Sequence, residues 1–372
     1  MGFFYKHFVH PFISGILGLK AYSKDFYLVR CIEADEADLI PDELFRIGMA
    51  YYKGESMLPQ DVKKAWEYLS KAAERGHVSA QFFLGLVLRD DGQMEEGLNW
   101  LQKSASQGHA GAMYQLSISY RRGDIGGEPD VAKCLELVRR AAECGVGAAC
   151  SRYASLCMHG EDGVKKNLEV AKFWATRALS LGYQHNEYVL KQIIGDENIV
   201  DDTIDTTKIY NDAAQAGEPY AMYEIGNAYI EEDFDKAAEL WKKASDMGCD
   251  LAKINLAEYY CYVKKDYTTA NRLLEELANR GYIKACKDLA ESFYYGYGVE
   301  KDVAKAFYWN EKALNFGDSW ARYLLAVMCL EGSLEEIFPD KVTRGMCYME
   351  MAAKGNFPQA VEFMEKQRHK HQ

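Results

Sequence analysis

The stretch ACKDLAESFYYGYGVEKDVAKAFYWNEKALNFG, residues 285–317, decides the fold because its parts recur along the whole chain. It contains two runs with apolar residues at helical spacing, joined by a glycine-containing turn and closed by a glycine. Alignment on the closing position gives nine framing glycines, spaced 31 to 38 residues apart: Gly76, Gly108, Gly145, Gly182, Gly217, Gly248, Gly281, Gly317 and, with a one-residue slip, Gly355. A period of about 35 residues is typical of arrays of helix pairs.

The residues that recur at fixed positions of the repeat unit each have a physical reason. A glycine after a helix can take the left-handed conformation that other residues resist. Four residues later a small residue opens the next helix, where two backbones must approach closely: Ala80, Ala112, Ala149, Ala221, Ala252, Ala285 and Ala321. Eight residues before the glycine stands a bulky residue, and we predict that Trp100, Trp174 and Trp309 are buried there. No stretch alternates as strands do, so the predicted class is all-α.

These residues resemble a known family. The pattern A-x3-L-G-x2-Y, then G-x-G-V-x-x-D, then A-x2-W-x3-A-x3-G is similar to the Sel-one-like repeat (SLR), a relative of the tetratricopeptide repeat. The best copy is 285–317, and GEDGVKKN at 160–167 repeats its turn. The resemblance covers roughly residues 40–360. It implies a right-handed αα-solenoid, or superhelix, of about eight to nine tetratricopeptide-like helix pairs.

The repeat pattern divides the chain into five predicted parts. They are an N-terminal cap at 1–40, a first SLR subarray at 41–185, a degenerate repeat or acidic loop at 186–212, a second SLR subarray at 213–359, and a C-terminal capping helix at 360–372. Solenoid ends need such caps because an end repeat exposes an apolar face. Residues 1–22 also fit a weak signal peptide, although Pro11 interrupts the apolar stretch and Lys20 occupies the cleavage region.

Composition narrows the function classes. The 372 residues carry a net charge of −12, which disfavours nucleic acid and anionic membrane surfaces as partners. No apolar run approaches the roughly 18 residues of a membrane-spanning helix. The ten cysteines form no CxxC pair, and Cys150 and Cys157 lie seven residues apart, on one face of a helix. We expect mostly buried, reduced thiols; a structural disulfide is the alternative. We predict a cytoplasmic protein, or a periplasmic one if residues 1–22 are a signal peptide.

The sequence contains none of the common catalytic, cofactor-binding or metal-binding motifs. The chain has no HExxH, GxSxG, P-loop or Rossmann fingerprint, and we predict no catalytic residue, no cofactor and no metal site. His77 and His109 each follow a framing glycine, so a role in the turn explains them better than metal binding. An enzyme with an unrecognised site in the groove is the alternative from another function class.

The resemblance implies protein binding, since SLR proteins act as adaptors, as scaffolds in secretion and signalling, and as immunity proteins. We expect a non-catalytic protein-interaction solenoid of a bacterium. Its partner is another protein, for example a toxin or a secretion or signalling component. The narrower alternative is an immunity protein that neutralises one secreted bacterial toxin.

The partner is predicted to bind in the concave groove, which the first helices line in this class of solenoid. Residues two, six and nine positions after the framing alanine share one helix face. The predicted groove residues are Phe82, Arg89, Tyr114, Arg121, Tyr223, Asn227, Tyr294 and Tyr323, with Arg122 beside Arg121. The aromatic residues have an alternative role in packing against the adjacent first helix. The three arginines make a positive patch in an acidic chain, so we predict an acidic partner segment near the second and third repeats.

Overall fold

The computed structural model describes Cys31 and residues 39–55, 58–183, 205–338 and 341–370. Within these residues the secondary structure is helical, with eighteen α-helices and no strand. The helices are α1 Pro41–Lys53, α2 Val62–Glu74, α3 Val78–Asp90, α4 Met94–Ser106, α5 Ala110–Arg122, α6 Val131–Glu143, α7 Gly147–His159, α8 Leu168–Ser180, α9 Thr206–Gln215, α10 Pro219–Ala228, α11 Phe234–Asp246, α12 Asp250–Tyr259, α13 Tyr267–Asn279, α14 Ile283–Tyr295, α15 Val303–Leu314, α16 Ser319–Leu330, α17 Lys341–Lys354 and α18 Pro358–Lys370. A single π-helical turn, Tyr260–Lys264, extends α12.

Sixteen of these helices form eight pairs, each made of a first helix, a turn and a second helix. The pairs begin at α1, α3, α5, α7, α10, α12, α14 and α16, while the described residues contain no partner helix for α9 or α18. The predicted all-α solenoid of helix pairs is therefore confirmed.

Most second helices begin at capping side chains and are followed by residues in the left-handed conformation. Six of the eight have an aspartate or asparagine N-cap whose side-chain oxygen accepts a backbone N–H three residues on, at 2.9–3.2 Å: Asp61, Asp130, Asn167, Asp233, Asp266 and Asp302. Such caps satisfy donors that a helix start leaves free. At the other end, the first eight framing glycines have φ between 76° and 96°. In the ninth copy Asn356 takes this conformation with φ of 59°, which accounts for the one-residue slip.

The two histidines that follow framing glycines cap first helices. The Nδ1 atom of His109 accepts the Ala112 amide at 3.1 Å, and Nδ1 of His77 accepts the Ala80 amide at 3.2 Å. Burial lowers the pKa of His109 to about 4, which keeps its ring neutral and able to accept. The predicted role in the turn is confirmed for both.

The frame positions are buried as expected. The seven framing alanines of the first helices are 0% exposed. Trp174 and Trp309 are buried, at 0% and 7% exposure. The prediction for Trp100 is wrong, because its ring is half-buried. The Lys103 ammonium lies 4.0 Å from the Trp100 ring centroid, so a charged residue covers part of a surface that we expected to meet apolar neighbours.

The chain forms two compact units. The terminal unit combines residues 1–84 with 286–372, and the central unit comprises residues 85–285. In the terminal unit α1 meets α17, where the buried Arg344 guanidinium lies 3.4 Å from the buried Glu43 carboxylate. In the central unit the turns after α4 and α13 touch so closely that a Cβ on Gly108 would overlap the Gly281 carbonyl oxygen.

Several predictions concern residues outside the described ranges. They are the N-terminal cap at 1–40, apart from Cys31, Leu39 and Ile40, the signal-peptide alternative at 1–22, and most of the degenerate segment 186–212. None of the ten cysteines forms a disulfide; eight are buried, Cys144 is exposed and Cys261 is half-buried. Of the helices described, none has both the length and the apolar character needed to cross a membrane.

Candidate functional site

The predicted groove residues are divided between the two units. Arg89, Tyr114, Arg121, Arg122, Tyr223 and Asn227 belong to the central unit, and Phe82, Tyr294 and Tyr323 belong to the terminal unit. Most of them are half-buried, as expected for a helix face that is partly covered by its neighbours. The exceptions are Arg121 and Arg122, which are exposed, and Tyr294, which is buried.

An arginine patch, formed by Arg121, Arg122 and Arg152, lies at the C-terminal end of α5 and on α7. Arg121 and Arg122 occupy the last turn of α5, which Gly123 ends in the left-handed conformation. The Asp162 carboxylate lies 3.8 Å from Arg121 Nε and 3.2 Å from Nη2 of Arg152 on α7. Two guanidinium groups thus share this aspartate. Glu161 is 3.8 Å from Arg152, while Arg122 forms no ion pair within the described residues.

Arg89 has a different environment from the other two predicted arginines. Its guanidinium is half-buried, and Nη1 donates to Gln115 Oε1 at 3.3 Å, which joins α3 to α5. The Nε atom of Arg89 is buried and makes no hydrogen bond. Arg89 therefore contributes to packing between first helices as well as to the charge of the face.

The aromatic and amide residues of the face are tied into the packing. Burial raises the pKa of Tyr114. The Tyr223 ring lies 5.3 Å from the Tyr220 ring, centroid to centroid. Asn227 Oδ1 accepts from Trp241 Nε1 at 3.2 Å and from Asn255 Nδ2 at 2.7 Å, which links three helices. Asn227 thus joins neighbouring helices, whereas the contact of Tyr223 with Tyr220 lies within α10.

The offsets from the framing alanine do not include Arg152 or Arg177. Arg177 lies on the second helix α8, where its Nη1 is 3.0 Å from Glu224 and its guanidinium lies 4.6 Å from the Tyr220 ring centroid. Arg152 is on a first helix but three positions after Ala149, one position past the predicted offset. For both arginines, the sequence feature that could have indicated a role was the presence of basic residues in neighbouring repeats.

In the terminal unit the predicted face includes a groove. Tyr323, Val327 and Leu330 of α16 line a cavity of about 370 Å³, which Met349 of α17 and Phe363 of α18 help to close. The Tyr323 ring also lies 4.8 Å from the Phe357 ring, centroid to centroid. The predicted residue Tyr294 does not line this cavity. Its side chain is buried, and its hydroxyl donates to Glu331 and lies 3.2 Å from Ser333 Oγ.

Two further features bear on chemistry. An open cavity of about 1090 Å³ in the central unit lies between α4 and the turn after α5, with Glu95, Glu96 and Asp124 among its lining residues. It lies outside the predicted set of groove residues. In the described part of the chain, no group of three or more histidine, cysteine, aspartate or glutamate side chains is placed to hold a metal ion.

Comparison with known proteins gives a consistent family signal. The model of the Sel1 repeat matches eight segments: residues 44–77, 78–109, 110–146, 147–183, 213–249, 251–282, 283–315 and 321–357. Each segment contains the turn between a first and a second helix.

Two relatives come from Schizosaccharomyces pombe. Chitin synthase regulatory factor 3 is 24% identical over 350 residues, which cover 88% of this chain and 29% of the relative. Chitin synthase regulatory factor 4 is 22% identical over 309 residues, which cover 79% of this chain and 44% of the relative. The chain thus spans less than half the length of either relative.

Solved structures with the same repeat are also similar. A protective antigen of uropathogenic Escherichia coli with an SLR fold is 20% identical, with 93% of this chain and 80% of that chain covered and a TM-score of 0.41. A Sel1 repeat protein from Oxalobacter formigenes is 21% identical, with 73% and 98% covered and a TM-score of 0.35. An immunity protein from Pseudomonas aeruginosa is 21% identical, with 55% and 81% covered and a TM-score of 0.29. These likenesses concern the fold alone.

Proposed function

Since the chain belongs to the Sel1 repeat family, whose members are protein-interaction scaffolds, we propose that it is a non-catalytic solenoid that binds a segment of a partner protein on the faces of its first helices. The family supports the general role. The proposal adds which helix face binds the partner and what charge the partner segment carries, and both rest on residues of the central unit.

The arginine patch of α5 and α7 is the observation that carries the proposal. Arg121 and Arg152 share the Asp162 carboxylate, and the exposed Arg122 has no ion pair in the described structure. The three arginines of the patch face two paired carboxylates, Asp162 and Glu161, so the patch keeps one positive charge in a chain whose net charge is −12. Arginine binds carboxylates through two parallel N–H donors, and it is enriched among residues that dominate binding energy. The partner segment is therefore acidic.

The role of the two yeast relatives is compatible with this proposal but does not specify it. Both are called regulatory factors, a description that fits a protein acting through binding. Because this chain spans only 29% and 44% of their lengths, we do not transfer their target to it. A dedicated inhibitor of one toxin is a narrower form of the same binding role.

The test starts with the partner. The full chain, immobilised and exposed to lysate, captures candidate partners that mass spectrometry identifies, and calorimetry then measures the affinity of each purified candidate. Replacement of Arg89, Arg121 and Arg122 by alanine should weaken binding at least about tenfold, or 1.4 kcal/mol. The double variant R121A/R122A, which leaves the packing of Arg89 intact, should show most of this loss.

The matched control removes three charges from second helices instead. Lys63, Lys242 and Lys243 are exposed there, and K63A/K242A/K243A should bind the partner as the unchanged protein does. Circular dichroism should show equal helical content in all variants. Unaltered affinity in the folded arginine variants would place the interface elsewhere.

A further inference from the structure

The groove of the terminal unit has an apolar floor that the described chain leaves accessible. Tyr323, Val327 and Leu330 come from α16, Met349 from α17 and Phe363 from α18, and together they border about 370 Å³. Three described helices, α16, α17 and α18, contribute to its lining. A cavity of this volume fits one or two large apolar side chains of a bound segment.

Carboxylates stand at the rim of this groove and beside it. Glu331 lines the groove and is exposed. Glu291, on α14, is half-buried, and burial raises its pKa because no described cation lies close enough to oppose the effect. The lysines in this region are already engaged: Lys366 pairs with Glu362 at 2.5 Å, and Lys287 pairs with Asp318 at 3.2 Å. Lys366 also lines the groove, and the Lys301 ammonium lies 5.1 Å from the Tyr294 ring centroid, but neither Glu291 nor Glu331 forms an ion pair in the described structure.

Exposed tyrosines continue the surface from Glu331 toward α14. Tyr295 and Tyr297 are 49% and 42% exposed, and their rings stack with centroids 5.6 Å apart. The buried Tyr294 connects them to the groove, because its hydroxyl donates to Glu331 and its ring lies 5.0 Å from that of Tyr295. Glu291 is four residues before Tyr295, so the two side chains share one face of α14. Tyrosine rings beside carboxylates attract lysine and arginine through cation–π contacts and ion pairs.

We propose that this surface, formed by the α16–α18 groove with Glu291, Glu331 and Tyr295, binds a basic segment of a partner protein. An apolar side chain of the segment enters the groove, and flanking lysine or arginine residues contact the carboxylates and the exposed tyrosines. The proposal extends the general binding role given above, but it concerns a different unit and a partner segment of opposite charge. If the arginine variants bind the partner normally, this proposal is therefore unaffected. If the glutamate variants bind normally, the proposal for the arginine patch is likewise unaffected.

The test selects twelve-residue peptides from a random displayed library on the full chain, with counter-selection on the variant E291Q/E331Q. Peptides that distinguish the two proteins should carry lysine or arginine on both sides of a leucine, methionine or aromatic residue. Fluorescence anisotropy with synthetic copies should show binding weakened at least about tenfold by E291Q/E331Q and by raised salt. The variant Y295A, which keeps every carboxylate, should weaken the same peptides about threefold or more.

The control separates a local site from the general acidity of the chain. Glu231 and Glu232 are exposed in the central unit, and E231Q/E232Q removes the same charge from a turn of that other unit. It should leave the affinity of the peptides within about twofold of the unchanged protein. The proposal is overturned if the selected peptides are acidic or uncharged, if none distinguishes E291Q/E331Q, or if E231Q/E232Q weakens binding equally.

Discussion

The hydroxyl of Tyr348 donates a 3.1 Å hydrogen bond to a carboxylate oxygen of Asp42, a residue 306 positions earlier in the chain. Both side chains are buried, and burial raises the pKa of Tyr348 well above its ordinary value, so the hydroxyl remains a donor. Beside them Arg344 approaches Glu43 at 3.4 Å. Two helices from opposite ends of the sequence thus meet through polar groups that have little access to water.

The first prediction concerns this contact. Tyr348→Phe keeps the ring but leaves the buried Asp42 carboxylate without its donor, so the free energy of unfolding should fall by about 1–3 kcal/mol. Hydrogen exchange should accelerate in α1 and α17 and remain unchanged in the central unit. Tyr308→Phe, at a site 50% exposed, is the control and should change stability by less than about 0.5 kcal/mol. Unchanged exchange in α1 would contradict a stabilising role for the hydrogen bond.

The second prediction concerns the buried tryptophans. Trp174 is surrounded by the rings of Tyr153, Phe173 and Tyr220, with centroids 5.1–5.5 Å away. Trp174→Ala and Trp309→Ala should each lower the free energy of unfolding by about 3–5 kcal/mol, through lost burial and the cavity that remains. Half-buried Trp100 offers the comparison, and its alanine variant should cost about 1–2 kcal/mol. Denaturant titration measures all three, and equal losses would mean that burial does not set the order.

The third prediction is a pH dependence in the central unit. Glu143 faces Arg139, Glu218 and Asp250, and burial raises its pKa from 4.5 to about 7 although Arg139 Nε donates to it at 3.0 Å. Between these two pH values the folded protein holds a proton that the unfolded chain releases. The stability contributed by Glu143 is therefore full below about pH 4.5 and is lost as pH rises through 7.

Glu143→Gln removes this titration while keeping the shape of the side chain. Relative to the unchanged protein, the variant should gain stability on the order of 1–3 kcal/mol between pH 5 and pH 8. The difference between the two proteins is the informative quantity, because other groups titrate in both. Denaturant titrations at several pH values supply it, and a difference that does not vary with pH would mean that Glu143 ionises normally.

The fourth prediction concerns thiol reactivity. A thiol reagent added to the native protein should react first at Cys144 and Cys261, since the other eight cysteines are buried. The residue is exposed, but desolvation of the sulfur and the adjacent Glu143 carboxylate raise the pKa of the Cys144 thiol to about 11. Its rate should therefore rise steeply with pH, because the thiolate is the reactive form. In denaturant without reductant all ten thiols should react. A count of two or fewer would show that most are paired.

The sequence predicted the repeating parts of this protein in detail. The framing glycines, the alanines at close helix contacts and the all-α pair architecture follow from constraints that act within one repeat or between neighbours. The offset of Arg121 from Ala112 predicts its place on the face assigned to the groove, with Arg122 beside it, and both side chains are exposed.

Tertiary structure decided the contacts between residues that the repeat pattern treats as equivalent. Tyr294 and Tyr323 occupy similar faces of successive first helices, yet one is buried on Glu331 and the other borders a groove. Likewise, no local pattern shows that Asp162 is shared by two arginines or that Asp42 accepts from Tyr348. Such pairings depend on small rotations that accumulate from repeat to repeat, and each rotation is set by side-chain volumes across an interface. Periodicity specifies that the helices pack, whereas only the summed geometry specifies which distant side chains meet.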